Sequence, residues 1–174
     1  MKSLLTLCIF SASLAMGQAA LAQRADVTST LVAQRVDMVD GKAVLRPAAQ
    51  GKPGDVIDYT STYRNGGTAA AAKLLATVPV PVGTTFVAGS AAPAAAQAST
   101  DGARFAPMPL MRMVKQSNGT ERAEPVPLEQ YRALRWEVGT LAAGGSAVVG
   151  LRVRIDAPES NTSTGTSVSA RAVK

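Results

Sequence analysis

The sequence has no histidine and only one cysteine, Cys8, among its 174 residues. Without histidine, a serine nucleophile would need a lysine as its base. Lys52, Lys73 and Lys115 lie in loop or strand-edge contexts, and no Gly-x-Ser-x-Gly motif accompanies them. Because Cys8 falls in the N-terminal apolar segment, the remaining chain has neither disulfides nor thiolate metal ligands. The sequence therefore predicts no catalytic, cofactor-binding or metal-ligating residue, and it argues against an enzyme.

Long apolar runs are also absent, apart from one at the N-terminus. Lys2 precedes an apolar stretch from Leu4 to Met16, and Ala20-Leu21-Ala22 has the small-x-small pattern of a cleavage site. The stretch is shorter than the ~20 residues that a membrane-spanning helix needs. We therefore predict a signal peptide over residues 1–22, with an uncleaved anchor as the alternative. The mature chain, residues 23–174, is expected in the periplasm, or else at the cell surface or outside the cell.

Aromatic residues make up 4% of the chain, and the net charge is +6. The alternating pattern assigns Tyr59, Tyr63, Phe86 and Trp136 to the core, which removes these four rings from stacking on nucleic-acid bases. The positive charge favours an acidic partner, but it is spread singly along the chain. The alternative is a solvated, arginine-rich surface. We expect no binding to nucleic acid.

Two segments show the clearest alternation of apolar and polar side chains, residues 54–67 and 136–155. Such a period of two is typical of antiparallel strands with one buried and one exposed face. In the first segment, Ile57, Tyr59 and Tyr63 are expected to face the core. In the second, Trp136 and the residues from Ala147 to Ile155 at every second position are expected to do so.

Turn residues divide the rest of the chain into short strands. The sequence predicts a hairpin over Leu31–Pro47 that turns at Val39–Lys42, because Asp-Gly accepts the positive φ of tight hairpin turns. Further strands are predicted over Ala71–Val80, over Thr84–Val87 and over Thr166–Val173. The proline-bearing end of the first is expected either to lie at a sheet edge or to leave the sheet. Eight or nine strands without a helix favour an all-β antiparallel sandwich in a single domain over an α/β fold.

An insert interrupts this pattern at about residues 91–132. Ala91–Ala98 is low in complexity and is predicted to be a loop. Asn118-Gly119 predicts an extra hairpin, whose first strand carries Met108, Met111 and Met113. Methionine is adaptable at interaction surfaces, so this hairpin is one candidate for partner binding. The alternative is a hairpin that folds back and caps the core.

Three segments, taken in order, resemble the conserved repeat domain of bacterial envelope and surface proteins called domain of unknown function eleven. They are GDVIDYTSTYRNGG, LLATVPVPVGTTFVAGS and WEVGTLAAGGSAVVGLRVRI. The matching positions are Gly54-Asp55, Tyr59, Asn65–Gly67, Pro81, Gly83, Phe86, Trp136, Gly139, Leu141 and Gly144. The resemblance runs over about residues 54–155 as one copy, broken by the insert. It implies an immunoglobulin-like envelope module and no particular activity.

Charged side chains supply the remaining candidate sites. Asp37 lies before the first predicted turn and Asp40 lies within it. They either stabilise the turn or bind calcium, although the Asp-x-Asp-x-Asp-Gly loop is absent. Asp55 and Asp58 are expected on opposite strand faces.

Residues 136–155 are predicted to form a closing hairpin that turns at Gly144-Gly145, and this hairpin carries the other charged cluster. Arg135, Arg152 and Arg154, with Glu137, are expected on its outward face, as cross-strand ion pairs or as an anion site.

Together these observations predict an exported, non-enzymatic envelope protein that acts as a structural or interaction module. An envelope protein or a cell-surface polymer is the expected partner, and no cofactor is expected. The alternative is a periplasmic protein that binds calcium or a small ligand in a pocket beneath the insert.

Overall fold

A computed structural model describes residues 24–48 and 50–158 of the chain. The predicted signal peptide, residues 1–22, and the predicted strand Thr166–Val173 lie outside the described residues. The described part consists of eleven strands and one 3₁₀ turn, Leu128–Gln130.

The larger sheet has five strands in the order β2-β1-β3-β11-β5. Their bounds are Val27–Val39 (β1), Lys42–Pro47 (β2), Val56–Asn65 (β3), Thr84–Phe86 (β5) and Ser146–Ile155 (β11). All its neighbours are antiparallel, and β3 pairs along nearly its whole length with β1 on one side and β11 on the other. The predicted first hairpin is confirmed, with positive φ at Asp40 and Gly41 in its turn.

The smaller sheet has four strands in the order β4-β10-β6-β7, and a separate two-stranded hairpin joins β8 to β9. Their bounds are Ala71–Pro79 (β4), Gln97–Ser99 (β6), Ala106–Pro107 (β7), Met111–Lys115 (β8), Glu121–Pro125 (β9) and Ala133–Leu141 (β10). β4 lies at the sheet edge, as its prolines predicted. β6 corrects the prediction of a loop over Ala91–Ala98, because the chain forms a strand from Gln97.

The core lies between the two sheets, which confirms an all-β sandwich. Phe86, Trp136 and Leu151 are each at most 3% exposed, and Tyr59 of β3 packs against the core cluster to which they belong. In β11, Val149, Leu151 and Val153 are buried at every second position, as the alternation predicted.

The prediction of a closing hairpin within one sheet is wrong. β10 pairs with β4 and β6, whereas β11 pairs with β3 and β5. The turn at Gly144-Gly145 therefore carries the chain from one sheet to the other. Gly144 has φ +71°, a conformation that glycine adopts without steric strain.

The turn after β3 is fastened by the side chain of Asn65, which is fully buried. Its amide Nδ2 donates to the carbonyl oxygens of Ala69 (2.8 Å), Leu141 (3.0 Å) and Ala142 (3.2 Å). Its Oδ1 accepts from the backbone N–H groups of Asp26 and Gly67. One amide thereby joins the start of the described chain, the turn after β3 and the crossing between the sheets.

Among the described residues, no helix has the length and apolar character required to span a bilayer.

Candidate functional site

The hairpin formed by β1 and β2 extends beyond the body of the sandwich. β1 pairs with β3 only as far as Val36, which lies opposite Val56, and the hairpin continues past this point. We call residues 37–45 the overhang. Its strands pair with each other and with no further described strand.

Apolar side chains on the overhang are exposed on both faces. Met38 is 68% exposed and shares one face with Leu45, while Val39 and Val44 lie on the other face and are also exposed. Strand β2 has a described neighbour on one side only, so its other edge presents unpaired backbone groups. An exposed apolar surface beside a free strand edge is typical of an interaction site.

Ion pairs hold the overhang at its base. Arg35 donates from Nε and Nη2 to the carboxylate of Asp37, at 2.8 and 3.1 Å, and Arg46 Nε lies 3.1 Å from Asp37 Oδ2. The hydrogen bond from Arg35 lowers the pKa of Asp37 and raises the pKa of Arg35. Since Asp37 is committed to two arginines, its pairing does not resemble a calcium ligand.

Asp40 occupies the turn of the overhang and does not join this cluster. It has φ +49°, in the left-handed region that aspartate tolerates in tight turns. In residues 24–48 and 50–158, no group of three or more acidic side chains is arranged to hold a metal ion.

The insert has a buried base and an exposed tip, so the predicted capping of the core is confirmed for its base. Its base caps the core, because Leu110, Val126 and Tyr131 are buried and belong to the core cluster. Tyr131 stacks on Phe86 with 5.9 Å between ring centroids, and its hydroxyl accepts from the N–H of Leu110 at 2.9 Å.

The tip of the insert projects away from the sandwich as the β8–β9 hairpin. Met111 and Met113 are 55% and 62% exposed, whereas Met108 packs against the core. The sequence predicted this hairpin but could not distinguish its buried base from its exposed tip.

A pocket of about 300 Å³ lies beneath the base of the insert. Its lining is almost entirely apolar and includes Phe86, Met108, Pro109, Leu128 and Tyr131. This volume is at the lower end of the range for small-molecule sites.

The predicted arginine cluster is divided between the two outer faces. Arg152 and Arg154 lie on β11, whereas Arg135 and Glu137 lie on β10 in the other sheet. This follows from the crossing between the sheets and corrects the prediction of one shared outward face.

Arg152 pairs with a residue of β3, whereas Arg135 and Glu137 both contact Gln97 of β6. Arg152 Nε donates to Asp58 Oδ1 at 2.9 Å, across the β3–β11 pair, which confirms cross-strand ion pairing at this position. Arg135 Nη2 donates to Gln97 Oε1 at 2.7 Å, and its guanidinium lies 4.1 Å from the ring centroid of Phe105.

The remaining predicted candidates also lie apart. Asp55 precedes β3 and accepts from the N–H of Lys52, so it does not share a partner with Asp58. Lys52, Lys73 and Lys115 lie in three separate segments: the turn before β3, strand β4 and the tip of the insert.

Comparison with protein-family models, with curated proteins and with solved structures found no match.

Proposed function

We propose that this chain is an exported, non-enzymatic protein of the bacterial envelope, with an immunoglobulin-like fold, that binds another envelope protein through the overhang. The observation that carries the proposal is the exposure of apolar side chains on both faces of the overhang, beside the free edge of β2. The apolar N-terminal segment and the resemblance to the envelope repeat domain support export and location, with the periplasm as the proposed compartment.

The proposed partner contributes an extended, acidic segment that pairs with β2. Backbone groups at a free strand edge bind an incoming strand, and alternate side chains of that strand lie on the two faces. Arg35, Lys42 and Arg46 outnumber Asp37 and Asp40 on the overhang and at its base, which leaves a net charge of +1 (three positive minus two negative). An acidic strand therefore complements the edge better than a basic one.

Site-specific crosslinking in cells tests this proposal. A photoreactive residue at Leu45 should capture one protein, whereas the same residue at Met113, which is exposed on the insert, should not. Capture at Leu45 should fall when Met38→Asp places a negative charge on the same face of the overhang, since an acidic apolar strand would then be repelled. Equal capture at both positions, or capture of a polysaccharide at Leu45, would contradict the proposal.

The pocket beneath the insert favours a second candidate function, the binding of a small apolar ligand. Leu128→Trp should fill the pocket and abolish any thermal stabilisation by short-chain fatty acids, while Met113→Trp at the exposed tip should leave it unchanged. If no fatty acid raises the melting temperature of the unaltered protein, this candidate is wrong.

A further inference from the structure

The free edge of β4 adjoins a part of the larger sheet that no described strand covers. β4 ends the four-stranded sheet and packs above β3 and β11. β1 lies beyond β3 in the larger sheet. Leu31 and Ala33 of β1 share the inward face of β3, opposite Ser61 and Tyr59, yet both are exposed.

The dimensions of this uncovered region match one strand. Neighbouring strands lie about 4.8 Å apart, and packed sheets lie about 10 Å apart. A strand added beside β4 would therefore lie above β1. This one strand would both pair with the free edge of β4 and cover the side chain of Leu31.

We propose that this strand is Thr166–Val173 of the same chain. Its sequence, TSVSARAV, alternates between two sets of side chains. Val168, Ala170 and Ala172 form a small apolar set suited to the inward face above Leu31, and Ser167, Ser169 and Arg171 form a polar set suited to solvent.

The direction of the chain fits antiparallel pairing. β4 runs toward the end of the sandwich where β11 finishes, since Asp156 N–H donates to the carbonyl of Gly83 at 2.9 Å, shortly after β4 ends. A segment that returns from this end runs opposite to β4.

The connecting residues are long enough. The seven residues 159–165 reach at most about 25 Å when extended. The step from β11 to a position above β1 crosses one sheet spacing and two strand spacings, about 14 Å in all. Tethering of this kind corresponds to an effective concentration of about 1 mM, which favours the chain's own segment over that of a second copy.

At one position the added strand must compete with the side chain of Tyr63 for the backbone groups of β4. Its hydroxyl accepts from Thr77 N–H at 3.0 Å and donates to Thr77 O at 3.2 Å, so a side chain of β3 caps the outward backbone groups of β4. Alternation places the N–H of Leu75 at the same edge, two residues away. The added strand would replace the Tyr63 hydroxyl at Thr77 and also bind Leu75.

Amide hydrogen exchange in the mature chain, residues 23–174, tests the proposal. The Leu75 amide should exchange at least about tenfold more slowly than in the variant Ser169→Pro/Ala170→Pro, which removes two consecutive donors from the segment. Thr162→Pro, in the connecting residues, is the matched control and should retain the slow exchange. Amides of β3 and β11 should stay protected in all three proteins, which shows that the sandwich is intact.

The variant Tyr63→Phe shows whether the added strand or the Tyr63 hydroxyl binds the amide of Thr77. If the strand is bound, the Thr77 amide stays protected without the hydroxyl. Rapid exchange at Thr77 in Tyr63→Phe would overturn the proposal, as would equal Leu75 exchange in the unaltered and proline-substituted chains. Protection at Leu75 that disappears between about 1 mM and 10 μM protein would instead assign the strand to a second copy and overturn pairing within one chain.

Discussion

At the scale of single residues, Asn65 does more than its place in a turn predicted. The motif Asn-Gly-Gly indicates a turn, but it does not reveal that the Asn65 amide binds carbonyls 76 and 77 residues away in sequence. Gly67 is required for a related reason, because a Cβ at this position would lie 2.1 Å from the carbonyl oxygen of Arg24. Both roles depend on contacts with segments that are distant in sequence, and the local motif does not predict these contacts.

We therefore expect Asn65→Ala to lower the free energy of unfolding by about 3 kcal/mol or more, since it leaves several buried backbone groups without partners. Asn65→Asp should be at least as harmful, because a carboxylate would face three carbonyl oxygens. Urea denaturation measures both effects. Asn118→Ala, in the exposed turn of the insert, is the control and should change stability by less than about 0.5 kcal/mol.

Asp101 provides a pH-dependent test at the same scale. The N–H groups of Arg104 and Ala103 donate to its carboxylate, as does the Ser99 hydroxyl, and together they lower its pKa to about 2. Because this folded-state pKa is below the ordinary value, the contribution to stability is complete above about pH 4 and is lost as the pH falls through 2.

NMR titration of the Asp101 carboxyl should therefore give a midpoint near 2 in the folded protein, and near 3.8 in a peptide spanning Ser99–Arg104. Equal midpoints in the protein and the peptide would show that the loop does not hold the carboxylate in this way.

At the scale of elements, the turn residues correctly predicted the two hairpins. They did not predict which strands lie side by side in each sheet of the sandwich. Asp40-Gly41 and Asn118-Gly119 were correctly placed. The sequence predicts a hairpin within one sheet at Gly144-Gly145, but the chain crosses between the sheets there. Alternation shows which side chains are buried but not which strand lies alongside. β6 was missed because its small residues resemble a loop, although Ala98 is fully buried.

The division of the insert leads to a prediction about its removal. Replacing residues 112–124 by Asn-Gly joins Met111 to Pro125, which already face each other across the hairpin. Since mainly exposed side chains are lost, the melting temperature should change by no more than a few degrees. Removing residues 106–128 also deletes Leu110 and Val126 from the core and should unfold the protein. Circular dichroism during heating distinguishes the two results, and unfolding by the shorter deletion would contradict this division.

At the scale of the whole molecule, the sequence predicted a sandwich but not its unequal sheets. Alternation places Leu31 on the inward face, and it is nevertheless 48% exposed, because the smaller sheet ends before reaching β1. The extent of the opposing sheet therefore decides whether an inward side chain is buried. The uncovered face of β1 arises from this difference, whereas the overhang arises because β1 and β2 continue past the start of β3.

The central claim is that the overhang is an open apolar surface attached to a closed core, and methionine oxidation tests it most directly. The mature chain has four methionines, and three are well exposed in the structure: Met38, Met111 and Met113. Oxidation by dilute peroxide, followed by peptide mass analysis, should modify these three rapidly and Met108 slowly, because Met108 packs against the core. If Met38 in the purified protein is oxidised as slowly as Met108, the overhang is covered and the account is contradicted.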